Sequence, residues 1–227
     1  MNTVTGTALA VLDMAGTTVS DDGLVLRAFD EAATAVGLEA DGPERDHART
    51  YVLDTMGQSK IEVFLALFGT QERAEQANLA FEAAYEALAD GGISPIPGAA
   101  EAITALRSAG VKVALTTGFS RSTQKKILTT LGWEDLADIT LCPADAGRGR
   151  PFPDMILTAV MRTGVADVRD VAVLGDTSSD IVSGLRAGAS IVAGTLTGAH
   201  DEESLRAAGA THVVGSVAEF PQLILPA

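Results

Sequence analysis

Four stretches of the chain carry side chains whose types and spacing could do chemistry. "VLDMAGTTVS" (11–20) closes an apolar run on Asp13 and follows it with Gly16, Thr17 and Thr18; two residues past the acid, where a second carboxylate could share its work, stands Ala15. "VKVALTT" (111–117) ends on Thr117. "GDTSSD" (175–180) supplies Asp176 and Asp180 four residues apart, so one helical turn brings both carboxylates toward one side. "GRGRPFPDM" (147–155) sets Arg150 ahead of Pro151 and Pro153. A guanidinium stiffened in this way could hold both a phosphate oxygen and a nucleophilic carboxylate, offsetting their repulsion; Arg148 reads as the solvated neighbour. Three acids together suggest a hard divalent cation, and magnesium takes oxygen ligands and shares itself with a substrate phosphate. Taken singly the same residues have plainer uses. Asp13 or Asp176 could cap a following helix, Thr117 could be a loop hydroxyl, and Asp180 could simply favour a helix N-terminus.

The elements that must position these residues follow from periodicity. Short apolar runs at 7–13, 111–117, 171–176 and 189–194 alternate with amphipathic, alanine-rich stretches such as 99–110 and 122–132, each closed by a glycine suited to a helix C-terminus. That alternation predicts an α/β chain with a parallel sheet and covering helices. Ligands of such sheets sit beyond the carboxyl ends of the strands, where Asp13, Thr117 and Asp176 converge. Between 21 and 92 strand-like runs vanish and four helical stretches appear; in one, Ile61, Phe64, Leu65 and Phe68 fall on one face. The expected organisation is a core of 1–20 with 93–227 and an inserted helical domain over 21–92, joined by linkers at 19–23 and 91–98 that together make a hinge.

Composition narrows the partners. The chain has 227 residues, 47% of them apolar, and 30 acidic against 16 basic side chains give a net charge of −14. Nucleic acid and anionic membranes would be repelled, so an anionic ligand must be small and locally bound. With no secretory signature and no apolar stretch of about 18 residues, a cytoplasmic location is the expectation. The single cysteine, Cys142, has no histidine nearby in sequence and reads as a small buried residue rather than a nucleophile.

As a set, "DMAGTTV", Thr117, "GRPFPD" with Arg150, and "GDTSSD" resemble the four motifs of the haloacid dehalogenase superfamily, in order and across the whole chain. The resemblance implies a Rossmann-like parallel sheet core with an inserted all-helical cap. It implies that Asp13 is a nucleophile forming an aspartyl-phosphate, and that Asp13, the Ala15 carbonyl and Asp176 bind Mg2+, with Asp180 supporting the metal shell. Thr117 and Arg150 would hold the phosphoryl group, and Gly16, Thr17, Gly57 and Gly118 would contact the substrate.

Ala15 narrows the branch. Most phosphatases of this superfamily carry an aspartate there to protonate the leaving alkoxide, and alanine cannot move a proton. "DMAGTTV", "TTGF" (116–119) and "GRPFPDM" are similar to the phosphonoacetaldehyde hydrolase branch. In that branch a cap lysine forms a Schiff base with the aldehyde, so carbon–phosphorus cleavage expels an enamine and needs no acid. The candidate is Lys60, three residues after Gly57 at the start of the amphipathic helix. A first-turn ammonium faces the positive end of the helix dipole, which favours the free amine; the same lysine would equally suit gripping a phosphate or carboxylate. The histidine and the aromatic hydroxyl that this branch places near its lysine are Val63 and Phe119 here. The expected function is therefore cleavage of phosphonoacetaldehyde or a close analogue. The alternatives are a phosphomonoesterase of the phosphoglycolate phosphatase kind, in which water replaces the missing acid, and a non-catalytic phosphometabolite-binding protein. An apolar cap face could support a homodimer.

Overall fold

A computed structural model describes residues 6–20, 23–89 and 92–225. In chain order the elements are β1 (Leu9–Asp13), β2 (Val19–Ser20), α1 (Leu24–Ala35), α2 (Pro43–Asp54), α3 (Lys60–Phe68), α4 (Gln71–Ala89), β3 (Ser94–Pro95), α5 (Ala99–Ser108), β4 (Lys112–Thr116) and α6 (Arg121–Leu131). There follow β5 (Ile139–Leu141), α7 (Pro143–Ala146), α8 (Asp154–Thr163), β6 (Val171–Gly175), α9 (Ser178–Ala187), β7 (Ile191–Thr195), α10 (Glu202–Ala207), β8 (His212–Val214) and α11 (Phe220–Ile224).

Six strands form one parallel sheet in the order β5-β4-β1-β6-β7-β8. All five residues of β1 are buried, as a central strand covered on both faces requires. Alternation sorts its side chains: Ala10 and Leu12 join the cluster holding Ile103 and Phe220, whereas Leu9 and Val11 join Ile156 and Ala159. After β1 the chain builds β4 and β5 to one side, then crosses to build β6, β7 and β8 on the other. The order reverses at β1, and a crevice opens there at the carboxyl ends. Asp13 is the last residue of β1, while Thr117 and Asp176 each follow the last residue of their strands.

The four helices between β2 and β3 pack around aromatic rings that continue the core beneath them. Phe64 on α3 stacks on Phe29 of α1 at 6.2 Å and meets Phe81 of α4 edge-on at 5.8 Å. Such ring pairs contribute about 0.5–1.5 kcal/mol beyond their burial, and truncating a ring this buried to alanine costs about 3–5 kcal/mol. α3 begins after Ser59 and stops at Gly69, whose left-handed φ of 75° suits glycine. Both chain crossings pair: Val19–Ser20 lies antiparallel to Ser94–Pro95. Of the expected linker residues, Asp21, Asp22 and Gly91 lie outside the described residues. Among the described residues, no helix is long and apolar enough to cross a membrane.

Candidate active site

The turn after β1 is held by its own backbone. The amides of Thr17, Thr18 and Val19 all donate to the Met14 carbonyl, and that of Gly16 donates to Val19 O at 2.8 Å. Gly16 has φ +81°, and a Cβ there would lie 2.4 Å from Asp176 Oδ2, so the turn passes too close to that carboxylate for any side chain.

Arg150 organises the acids. Its Nη2 lies 2.6 Å from Asp13 Oδ1 and donates to Thr116 Oγ1 at 2.8 Å; its Nε lies 2.8 Å from Asp180 Oδ1. Its Nη1 donates to the Gly57 carbonyl at 3.2 Å. The fork thus ties two strand ends, α9 and the loop before α3 together, with the side chains of Arg150, Asp13 and Asp180 all buried. Arg148, by contrast, pairs with Asp154 at 2.8 Å and is 59% exposed, the solvated role expected of it.

Asp176 accepts from Thr17 Oγ1 at 3.0 Å and from the Ala199 amide at 2.8 Å. Asp180 accepts from the backbone amide and the hydroxyl of Thr177, closing a capping box on α9. The helix-start role and the place beside the other two acids thus coexist in one residue.

Oxygens of Asp13, Asp176 and Asp180 lie within 4.8 Å of one another, all three residues buried. Burial pushes the Asp13 carboxyl well above the usual carboxylate range; the Arg150 charge opposes this, and Asp180 and Asp176 add to it. Asp176 is pushed up to about 7 by burial and then by the charge of Asp180. Three buried carboxylates against one guanidinium leave negative charge uncompensated, and every donor is a hard oxygen. This donor set fits a magnesium ion.

A cavity of about 400 Å³ opens over these acids, lined among others by Asp13, Ala15, Lys60, Thr117, Arg150 and Asp176. Gly16, Gly57 and Gly118 line it as well. Lys60, the first residue of α3, brings its Nζ to 5.7 Å from the Phe119 ring centre and 5.9 Å from that of Phe81. Val63 and Phe119 are buried beside it. Gly57 and Gly118 make the close fit between helical insert and sheet: a Cβ at Gly57 would meet Thr177 Oγ1 at 2.4 Å, and one at Gly118 the Gln58 carbonyl at 2.6 Å.

Thr17 is fully buried and lies outside the cavity lining, its hydroxyl donating to Asp176. Cys142 is buried at the start of α7, where its Sγ meets Asp145 Oδ2 at 3.2 Å; burial and then Asp145 push its thiol up, which suits an inert residue.

Two contributors escaped the sequence. Thr116, the last residue of β4, orients Arg150, and the loop after β7 closes the site: Thr197 Oγ1 donates to Gly16 O at 2.7 Å while Ala199 holds Asp176. The available signal was position, since 196–200 follows a strand at the same carboxyl edge as the other motifs.

A parallel sheet with a carboxylate, a hydroxyl and a second carboxylate at adjoining strand ends, roofed by helices, defines a hydrolase of the haloacid dehalogenase type. The chain belongs to the haloacid dehalogenase-like hydrolases, whose family model matches residues 7–188. It is 30% identical over 211 residues to the phosphonoacetaldehyde hydrolase-like protein of Syntrophobacter fumaroxidans, covering 83% of this chain and 72% of that one. It is 28% identical over 170 residues to the phosphonoacetaldehyde hydrolase of Paraburkholderia phytofirmans, covering 65% of this chain and 61% of that one. Among solved structures, the phosphonoacetaldehyde hydrolase-like protein from Oleispira antarctica matches with a TM-score of 0.82 at 23% identity, over 99% of this chain and 94% of that one.

Proposed function

We propose that this hydrolase cleaves the carbon–phosphorus bond of phosphonoacetaldehyde or a close analogue, with residues 21–92 acting as the cap and 1–20 with 93–227 as the core. The observation that carries the reading is that Lys60, Asp13 and Ala15 line one cavity, so an amine shares the site with the candidate nucleophile and no acid stands at position 15. The curated relatives named above support it.

In this mechanism the Lys60 ammonium gives up a proton, the free amine adds to the aldehyde carbon, and that proton leaves with the carbinolamine hydroxyl as water, giving an iminium. Asp13 attacks phosphorus, and as the P–C bond breaks its electron pair forms the C=C bond of an enamine while the iminium nitrogen becomes neutral. The leaving group carries no developing oxyanion, so Ala15 costs the reaction nothing. Water then hydrolyses the aspartyl-phosphate to inorganic phosphate, and the enamine is protonated on carbon and hydrolysed to the aldehyde, restoring Lys60. Arg150 fixes the plane of the Asp13 carboxylate and offsets its repulsion of the phosphonyl oxygens. Asp13, the Ala15 carbonyl and Asp176 would hold magnesium, with Asp180 supporting them; when bound, the ion supplies charge neutralisation at the phosphonyl oxygens.

A second reading, hydrolysis of a small phosphate ester with Lys60 only gripping substrate, is favoured by one feature: Val63 and Phe119 offer no proton relay beside the amine. Borohydride separates the two. With phosphonoacetaldehyde present, reduction should inactivate the enzyme and leave a two-carbon adduct on Lys60 by peptide mass spectrometry; an unmodified Lys60 would favour the ester reading.

A further inference from the structure

The cavity is larger and more apolar than a two-carbon phosphonate needs. At about 400 Å³ it falls within the range of pockets that hold drug-sized ligands, which begins near 300 Å³. Its charged lining groups among the described residues are Asp13, Asp176, Arg150 and Lys60, and the mechanism employs every one of them. Beyond Ser20 and Gly23 at the chain crossing, the remaining described lining on the helical side is hydrocarbon: Val25 and Leu26 of α1, Leu53 of α2 and Met56 just beyond it; Phe119 of the core lines the cavity as well. Leu53 lines this cavity with 47% of its surface exposed. A lone exposed leucine needs no explanation, but one that continues a concave apolar wall beside a reactive centre does.

We infer that the substrate carries an uncharged apolar substituent of several carbons, seated against Val25, Leu26, Leu53 and Met56, in addition to its phosphonyl group and carbonyl. This rests on the carbon–phosphorus reading for the identity of the reacting group, but the wall itself does not depend on it. Among the described residues of the wall no charged side chain meets a second anion or an ammonium, so a substituent bearing either charge would lie unpaired against hydrocarbon. The extra burial acts on kcat/KM, because the substituent is bound in both ground and transition states.

The test uses two homologous series on the full chain with magnesium, read by phosphate release. One is a set of 2-phosphonoalkanals whose carbon next to phosphorus carries hydrogen, methyl, ethyl or propyl. The other is the n-alkyl phosphates from ethyl to pentyl. Burying each added methylene should raise kcat/KM about fourfold, the equivalent of about 0.8 kcal/mol. Leu53→Asp, at a position already half open to water, should flatten the rise to under twofold per carbon, with folding checked by circular dichroism. A rise in the aldehyde series supports both the wall and carbon–phosphorus cleavage. A rise confined to the alkyl phosphates supports the wall and overturns the bond assignment. Activity that is flat or falling with chain length in both series, or a rise that a folded Leu53→Asp variant leaves intact, overturns the proposal.

Discussion

The carbonyl of Gly57 accepts a hydrogen bond from Arg150 at 3.2 Å, so the arginine that holds Asp13 is bonded to the loop that presents Lys60. Asp13 and Lys60 belong to different parts of the fold, and this contact ties those parts together. Gly149 reinforces it, because a Cβ there would lie 2.8 Å from Ser59 Cβ in the same loop.

Gly57→Ala should therefore damage catalysis more than folding. The backbone at Gly57 has φ +81°, and the new methyl would meet Thr177 Oγ1 at 2.4 Å. A left-handed non-glycine residue costs about 1–3 kcal/mol, and relief by withdrawing the loop would carry Lys60 away from Asp13. The expected result is a fall in kcat/KM of roughly tenfold or more with a small change in melting temperature. Unchanged kinetics in a folded variant would show that the loop contact does not position the amine.

Asp13→Asn keeps the shape of the side chain and removes its nucleophilicity. Turnover should fall on the order of 10⁴-fold, as when a covalent nucleophile is lost, while the melting temperature holds or rises. A rise has a physical basis: the carboxylate is held against burial and two neighbouring acids, which the Arg150 charge only partly opposes. Near-normal steady-state rates in the Asp13→Asn enzyme exclude the aspartyl-phosphate.

Much of this site was legible because its chemistry sits at strand ends. Asp13, Thr117 and Asp176 close apolar runs long enough to read as buried parallel strands, and the rule that ligands gather at carboxyl edges brings them together. The limits were equally physical. β5 and β8 have three residues each, too few to show a period, and the β2–β3 pair has two per strand. Thr116 reads as strand interior, yet its hydroxyl is what Arg150 bonds. The resemblance places Thr17 among the substrate contacts, and its hydroxyl bond to Asp176 is visible only in the fold. The loop at 197–200 carries no carboxylate, lysine or arginine, and it acts through the Thr197 hydroxyl and the backbone amides of Ala199 and His200, which no pattern of charged side chains announces.

Removal of divalent cations tests the acid cluster by two routes. Excess chelator should abolish phosphate release, with recovery on adding magnesium. Binding to the folded state alone should also raise thermal stability by about 2.7 kcal/mol at a hundred times the dissociation constant, a readout independent of turnover. Asp176→Asn should lose most of that thermal shift, since it removes a charge from the cluster of three. Full activity in chelator, or a shift that Asp176→Asn does not diminish, would refute the assignment.

Ala15→Asp should install the acid whose absence marks this chain. Ala15 lines the cavity, so a carboxyl at this position has room to reach a leaving oxygen. General acid catalysis contributes about 10²–10⁴-fold, and hydrolysis of simple alkyl phosphates should rise by about 10²-fold. Cleavage of phosphonoacetaldehyde should gain nothing, because its leaving carbon departs as an enamine. Equal gains on both substrates would mean that both reactions wait on the same proton.

Lys60→Arg asks whether its nitrogen is a nucleophile or only a charge. Arginine keeps the cation, and its planar guanidinium can still lie against Phe81 and Phe119, whose ring centres are 5.9 and 5.7 Å from the amine. With a pKa above about 12 it supplies no free amine to add to a carbonyl. Activity on phosphonoacetaldehyde should therefore fall to background, whereas activity on small phosphate esters, where a grip suffices, should stay within roughly tenfold of the wild type, a change of about 1.4 kcal/mol. A Lys60→Met variant serves as the comparison, since it removes both properties and should lose both activities. If the arginine enzyme instead processes the aldehyde phosphonate at a rate near that of the wild type, no Schiff base forms at Lys60, and the amine acts only as a charge facing Asp13.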